Sequence, residues 1–249
     1  MRQRILITGA SSGLGAEMAR QFAAMGRDLA LCARRVDRLD TLRDEILSGH
    51  PGVTVAVRAL DVDDHDAVFR VFGELRDELG GLDRVIVNAG LGKGAPIGTG
   101  RFAANRQTAT TNFVSALAQC EAAMEIFRAQ DDGHLVVISS LSALRGLPRT
   151  LTTYAATKAA VATLAEGIRI DVSRTKIKVT TIFPGYIRSE MNEQAVQRKV
   201  MMSDTDTGVR SLVRAVEREP AEAKVPPWPW VPMGFVLAHA PAGFIRRFM

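Results

Sequence analysis

The 249-residue sequence predicts a doubly wound α/β fold, a single-domain Rossmann-like parallel sheet with helices on both faces. Short β-branched runs alternate along the chain with longer segments whose apolar residues recur three or four apart. The runs are apolar throughout rather than alternating, which marks strands buried on both faces. A glycine-rich loop joins the first run to the first helical segment, in the order of a phosphate-cradling strand–turn–helix unit.

The strand candidates are Arg4–Thr8, Asp28–Ala33, 53–58, 84–88, 135–139 and 178–183, and the helical segments are 14–25, 36–47, 67–79, 103–127 and 154–172. Strand–helix alternation of this kind builds a parallel sheet through right-handed crossovers. No linker rich in Pro, Gly or Ser divides the chain, so residues 1–249 read as one domain. The tail, 226–249, breaks the rhythm with a Pro/Trp-rich apolar run that ends near Arg246-Arg247.

Composition narrows the function classes. Hydrophobic residues make up 47% and charged residues 24%, an ordinary globular balance. The formal charge is +5, yet basic residues interleave with acids, as between Arg70 and Glu78, in the manner of a solvated helix face. Without an aromatic-interleaved basic stripe, nucleic acid is not an expected partner. Cys32 and Cys120 lie far apart and read as small buried hydrophobes of a reducing compartment. His50, His65, His134 and His239 show no ligand spacing, so no metal site is expected. Met1-Arg2-Gln3-Arg4 runs straight into a strand, leaving no room for an apolar targeting core, and a cytoplasmic location is expected.

Thr8-Gly9-Ala10-Ser11-Ser12-Gly13-Leu14-Gly15 supplies glycine where the chain must turn and where backbone must approach a pyrophosphate. The second strand ends in Cys32-Ala33-Arg34-Arg35, with no acid between Asp28 and Asp37. An acidic side chain there would suit a ribose 2′-hydroxyl, whereas Arg suits a 2′-phosphate, so the charge favours NADP(H) over NAD(H). Arg34 stands nearer the strand end than Arg35. In Tyr154-Ala155-Ala156-Thr157-Lys158 a spacing of four puts phenol and ammonium on one helix face. A cation beside a phenol lowers its pKa toward the range that general acid–base catalysis needs.

The TGxxxGxG spacing at Thr8–Gly15, followed by YxxxK at Tyr154, resembles the compact branch of the short-chain dehydrogenase/reductase family. The resemblance covers about residues 4–191 and implies an NADP(H)-dependent oxidoreductase that interconverts a carbonyl and an alcohol by hydride transfer. It implies Asp61 and Val62 near the adenine, and Asn88, Ala89 and Gly90 at the cofactor's edge. Ser140 would bond the substrate carbonyl oxygen. It precedes Tyr154 by fourteen positions where the family usually shows thirteen, so the extra residue is placed after Pro148 and Ser142 is held in reserve. Asn112 would hold a water linking Lys158 to solvent, or else is a buried amide satisfied by neighbouring backbone. Pro184, Gly185, Ile187 and Ser189 match the segment beside the nicotinamide, with Ser189 in place of the usual Thr. Lys158 would also bond the nicotinamide ribose.

A small-molecule carbonyl or alcohol, lipophilic in one reading, is the implied substrate, and a homodimer or homotetramer the implied assembly. Loops 91–100 and 191–206 are placed around the substrate. The tail leaves three readings open: packing on the body or a neighbouring subunit, a flap over a lipophilic pocket, or a peripheral membrane contact through Trp228 and Trp230. A non-catalytic NADP(H)-binding sensor or scaffold and an NAD-preferring alcohol dehydrogenase are the alternatives for the whole chain.

Overall fold

The structure, a computed structural model, describes residues 2–188, 203–241 and 243. In chain order its elements begin β1 (Arg4–Thr8), α1 (Gly13–Ala24), β2 (Asp28–Ala33), α2 (Val36–Gly49), β3 (Val55–Ala59), α3 (His65–Leu79) and β4 (Arg84–Val87). They continue with α4 (Phe102–Ala109), a π-helical turn (Thr110–Val114), α5 (Ser115–Gln130), β5 (Gly133–Ile138) and two 3-10 turns (Leu141–Leu144 and Arg149–Leu151). The chain closes with α6 (Thr152–Asp171), β6 (Ile177–Pro184), α7 (Thr205–Glu217), β7 (Glu222–Val225) and α8 (Pro227–His239).

The strands form one parallel sheet in the order β3-β2-β1-β4-β5-β6-β7. Strand order reverses between β1 and β4, and in open α/β sheets ligands bind in the crevice at such a switch point. The pleat explains the apolar runs. On β1, Ile5 and Ile7 face a core shared with Phe22 of α1, Leu39 of α2 and Leu212 of α7. Leu6 faces the other core, with Phe72 of α3 and Phe127 of α5. Both faces of each inner strand are covered, so neither can afford a polar period. Cys32 and Cys120 are buried and free, and burial pushes each thiol up to about 12.

Four elements depart from the predicted pattern, among them α7, which falls in no predicted helical segment. The segment 103–127 is helical, but its ladder widens to a π turn at Thr110–Val114. The fold has a seventh strand, β7, whose Glu222-Ala223-Lys224-Val225 is too short and polar to announce itself. The tail forms α8, which begins with Pro227 and kinks at Trp228. It packs on the body: Trp230 is buried with Leu141 and Phe183, while Leu237 and Ala240 meet Leu147 and Ala155. No helix among the described residues is long and apolar enough to cross a membrane.

At the amino ends of the strands, opposite the crevice, a buried polar network ties the chain together. Arg84, 1% exposed, donates from Nε to His134 Nδ1 at 2.9 Å and pairs through its terminal nitrogens with Glu217 and Glu219. Because His134 Nδ1 accepts that bond, its Nε2–H is left to donate to Thr180 Oγ1, 2.9 Å away, and the Thr180 hydroxyl donates to the Pro220 carbonyl at 2.6 Å. The ring is therefore neutral: burial first, then the Arg84 charge, pull its pKa down to about 2. The partners of the ion pair shift in ways that do not match. Burial pulls Arg84 down, while for Glu217 the Arg84 and Arg27 bonds outweigh burial and favour the anion. The net value of such a pair is small, but breaking it strands a buried charge. Arg84→Ala is expected to destabilise the fold by about 3–5 kcal/mol, read as a lower urea midpoint with an unchanged slope. A loss below about 1 kcal/mol would show that the network carries no stability.

Candidate active site

The crevice between β1 and β4 is closed at its floor by Thr8. Its Oγ1 accepts from the backbone N–H groups of Asn88 (3.0 Å) and Ala89 (3.1 Å), and the Asn88 side-chain amide donates to the Thr8 carbonyl at 2.9 Å. The loop then turns at Gly9 (φ +65°) and Gly13 (φ +54°) into α1. A Cβ on Gly15 would collide with the Gly9 carbonyl oxygen, and one on Gly9 would lie 2.9 Å from Ala89 Cα. Only glycine lets the helix start this close to the strand ends. No side chain caps α1, so its first N–H groups are left for an anion.

One continuous cleft runs from here to the Tyr–Lys pair. It is lined by Gly9, Ser11, Ser12, Gly13, Leu14, Arg34, Arg35, Asp61 and Val62 at one end, with Asn88, Ala89 and Gly90 leading from there toward Lys158. Ser140, Tyr154, Lys158, Pro184, Gly185 and Ile187 line the other end. Gly15 and Asn112 stand behind the wall, and Ser189 lies outside the described residues. Arg34 is exposed and 4.0 Å from Asp61, whereas Arg35 folds back and donates to the Ser11 (3.1 Å) and Ser12 (2.7 Å) hydroxyls. Both guanidinium groups therefore border the loop's open side.

Tyr154 and Lys158 project from one face of α6. The Lys158 ammonium is buried, donates to the Ile138 carbonyl at 2.9 Å and lies 6.0 Å from the centre of the Tyr154 ring. Burial lowers its pKa to about 8. The expected lowering of the phenol is not met in this arrangement. Burial raises the Tyr154 pKa, a hydrogen bond from the Ser140 side chain opposes it, and Tyr186 adds to the rise. The ammonium is aimed at Ile138 instead, which is why it does not offset the burial.

Ser140 lines the cleft with Tyr154 and Ser142 does not, and the Ser140 oxygen accepts from the Ser142 N–H at 3.1 Å. Directly after Pro148, where the extra residue is expected, Arg149 takes a left-handed φ of +60° before α6 begins. Asn112 sits in the π turn, not in a regular helix. Its amide donates to the Leu91 carbonyl (2.9 Å) and to Thr157 Oγ1 (3.3 Å), and its oxygen accepts from Leu91 N–H (2.7 Å). That matches the buried amide satisfied by neighbouring backbone, and it fixes the strand-end loop against α6. A Cβ on Gly90 would stand 3.2 Å from Asn112 Oδ1 and 3.6 Å from Lys158 Nζ, so the three converge.

Thr111 and Ser139 also border the site with no sequence signal of their own, and Leu91 opens the predicted 91–100 loop there. Ser139 donates to the Lys158 carbonyl at 2.7 Å and Thr111 to Asp63 at 2.8 Å, contacts with no local sequence signal. Among the described residues no cluster of His, Cys, Asp or Glu could hold a metal.

A parallel sheet with a glycine loop at its switch point and a Ser–Tyr–Lys cluster at the far end of the same cleft defines a nicotinamide-dinucleotide oxidoreductase scaffold. A family model for short chain dehydrogenase matches residues 3–200, and the chain belongs to that oxidoreductase family. It is 52% identical over 247 residues, 99% of this chain and 97% of the relative, to an uncharacterized oxidoreductase of Mycobacterium tuberculosis strain H37Rv. It is 35% identical over 192 residues, 74% of this chain and 73% of the relative, to dehydrogenase/reductase SDR family member 11 of Homo sapiens. Among solved structures it resembles a serine dehydrogenase complexed with NADP+, at 25% identity and TM-score 0.80, covering 90% of this chain and 95% of that one.

The buried Lys158 makes a testable trade. Its folded pKa lies below the unfolded value of 10.5, so its charge costs stability at neutral pH. That cost is relieved as pH rises through about 8 and is gone above the unfolded value. Lys158→Met is expected to raise stability at pH 7 by roughly 1–3 kcal/mol. The gap to wild type should close as pH climbs toward 10.5, followed by urea unfolding at each pH. A variant less stable than wild type across the range would contradict a burial penalty at this site.

Proposed function

We propose that the chain is an NADP(H)-dependent oxidoreductase that interconverts a small-molecule carbonyl and its alcohol, with Tyr154 as general acid and base. The observation that carries this reading is the set of Ser140, Tyr154 and Lys158 side chains at one end of a cleft whose other end is the glycine loop flanked by Arg34 and Arg35. The residues present fit a dinucleotide: Gly9 and Gly15 let α1 start hard against the strand ends, its N–H groups would meet a diphosphate, and two guanidinium groups would meet a 2′-phosphate. Asp61 and Val62 flank an adenine, Asn88, Ala89 and Gly90 form the cofactor's edge, and Pro184, Gly185, Ile187 and Ser189 adjoin the nicotinamide. When bound, the cofactor supplies or takes up the hydride.

The chain's own groups do the rest. Ser140 bonds the substrate oxygen while charge develops on it. In reduction Tyr154 gives that oxygen a proton, and in oxidation it takes one back. The raised phenol pKa suits the first task, keeping the proton in place at neutral pH. Lys158 holds the ribose and its place against Ile138, and Asn112 secures the Leu91 turn beside it. The serine dehydrogenase neighbour is described with NADP+, which supports the same cofactor here. Assembly as a homodimer or homotetramer is part of the proposal.

Tyr154→Phe is expected to cut NADPH-dependent carbonyl reduction by about 10²–10⁴-fold while NADPH affinity stays within a factor of about two. Loss of binding together with turnover would assign Tyr154 to binding alone. Wild type should bind NADPH tighter than NADH. Arg34→Ala and Arg35→Ala should each weaken NADPH by roughly tenfold or more and leave NADH unchanged, in calorimetric titrations. Equal wild-type affinities would return the cofactor assignment to NAD(H).

A further inference from the structure

Helix α8 packs one face on the body and leaves the other uncovered. Trp230, Gly234 and Leu237, spaced by four and three, turn inward: Trp230 packs with Leu141 and Phe183, and Leu237 meets Leu147 and Ala155. The outward side carries Trp228 (79% exposed), Val231, Phe235 (67%) and Val236. Residues 226–238 contain no charged side chain, so the helix is apolar all round with one side in water. Exposed apolar residues scattered singly are ordinary, whereas a contiguous apolar face marks a surface that meets a partner.

Contacts carry this surface into the neighbouring elements. Arg145 donates to the Ala240 carbonyl at the end of α8, and Leu151 joins Leu237 on the Leu147–Ala155 cluster. Gly94 stands so close to this turn that a Cβ on it would collide with the Thr150 carbonyl oxygen. Asn105 of α4 brackets Ala95 with bonds of 3.0 and 3.1 Å, seating α4 on the same loop. There Ile97 and Phe102 (72%) also stand in water. The charge of the whole stretch has one sign. Residues 91–120, 133–165 and 223–249 contain no Asp or Glu, and Lys93, Arg101, Arg106 and Arg149 are exposed within them. Elsewhere surface arginines have acids beside them, as in Arg20–Glu45, Arg58–Glu78 and Arg128–Asp171.

We propose that this face, centred on α8, docks on the surface of an anionic lipid bilayer. Trp228 and Phe235 enter the headgroup boundary, and Lys93, Arg101, Arg106 and Arg149 lie against acidic headgroups. Interfacial binding draws on two terms, burial of apolar area and attraction of basic side chains to anionic lipid, and both are present here. With 13 residues α8 is too short to span, so it lies in the plane of the interface. A second copy of the chain complements the face poorly. A two-fold contact sets one patch against itself, and the basic residues of one copy would meet those of the other. Lipid binding is independent of the reaction assigned to the cleft.

The test floats the full chain with vesicles of phosphatidylcholine alone and of equal parts phosphatidylcholine and phosphatidylglycerol. Wild type should float with the anionic vesicles and not with the neutral ones, and added salt should release it. Trp228 emission should shift to the blue on binding, while Trp230, already buried, contributes no change. Trp228→Ser with Phe235→Ser, and separately Arg101→Glu with Arg106→Glu, should each lower the partition about tenfold or more. Arg70→Glu with Arg128→Glu, an equal change of net charge on α3 and α5, should leave it within about twofold. All six side chains are exposed, and circular dichroism checks that every variant is folded. No flotation with anionic vesicles, equal flotation with neutral ones, or flotation that survives either of the first two double substitutions would overturn the proposal. So would light scattering that shows a wild-type oligomer dissociated by Trp228→Ser with Phe235→Ser, since a second copy would then cover the face.

Discussion

The site depends on the closeness of the glycine loop to the ends of β1 and β4. Thr8 and Asn88 lock the two strand ends with side-chain-to-backbone bonds, and Gly15 presses α1 onto the Gly9 carbonyl with no space for a side chain. Backbone that is bonded in this way cannot drift, so the first N–H groups of α1 stay aimed across the crevice. The rest of the cleft is laid out from that fixed corner: β2 delivers Arg34 and Arg35 to one side, and β5 delivers Ser140 to the other. The sheet's own stability is supplied by the apolar cores on its two faces and by the buried Arg84 network at the strand ends opposite the crevice.

At the reactive end the governing term is burial. It raises the Tyr154 phenol and lowers the Lys158 ammonium, bringing the two values toward each other from their ordinary positions. Neither shift comes from a direct contact between them, because the ammonium is committed to the Ile138 carbonyl. Ser140 opposes the rise of the phenol, and in the proposed reaction it would offer a donor where a carbonyl oxygen gathers charge. The arrangement stores a desolvated cation beside a proton donor, a configuration costly to the fold and useful to a reaction.

Much of this was legible in the sequence, and the remainder has identifiable causes. Doubly buried strands read clearly because Ile5, Leu6 and Ile7 are all apolar, and the glycine spacing marked the crevice before any helix was placed. Spacing alone put Tyr154 and Lys158 on one face. Helix α7 carries a full stripe in Val209, Leu212, Val213 and Val216, a signal strong enough to predict and overlooked beside the tail. Helix α8 was hidden by its prolines, since Pro229 and Pro232 argue against a helix that tertiary packing of Trp230 nonetheless secures. Arg84 heads β4 and is buried there. Its burial depends on Glu217, 133 positions away, and no local pattern reports that. The direction of the Lys158 ammonium was equally unreadable, because Ile138 offers only a backbone carbonyl.

A crystal structure of the NADP+ complex tests the central claim most directly. The account predicts a dinucleotide stretched along the whole cleft, with its diphosphate at the N-terminus of α1, its 2′-phosphate between Arg34 and Arg35, and its nicotinamide beside the Tyr154 hydroxyl. A cofactor bound in the reverse direction, or bound with Tyr154 turned out of reach of the nicotinamide, would contradict it.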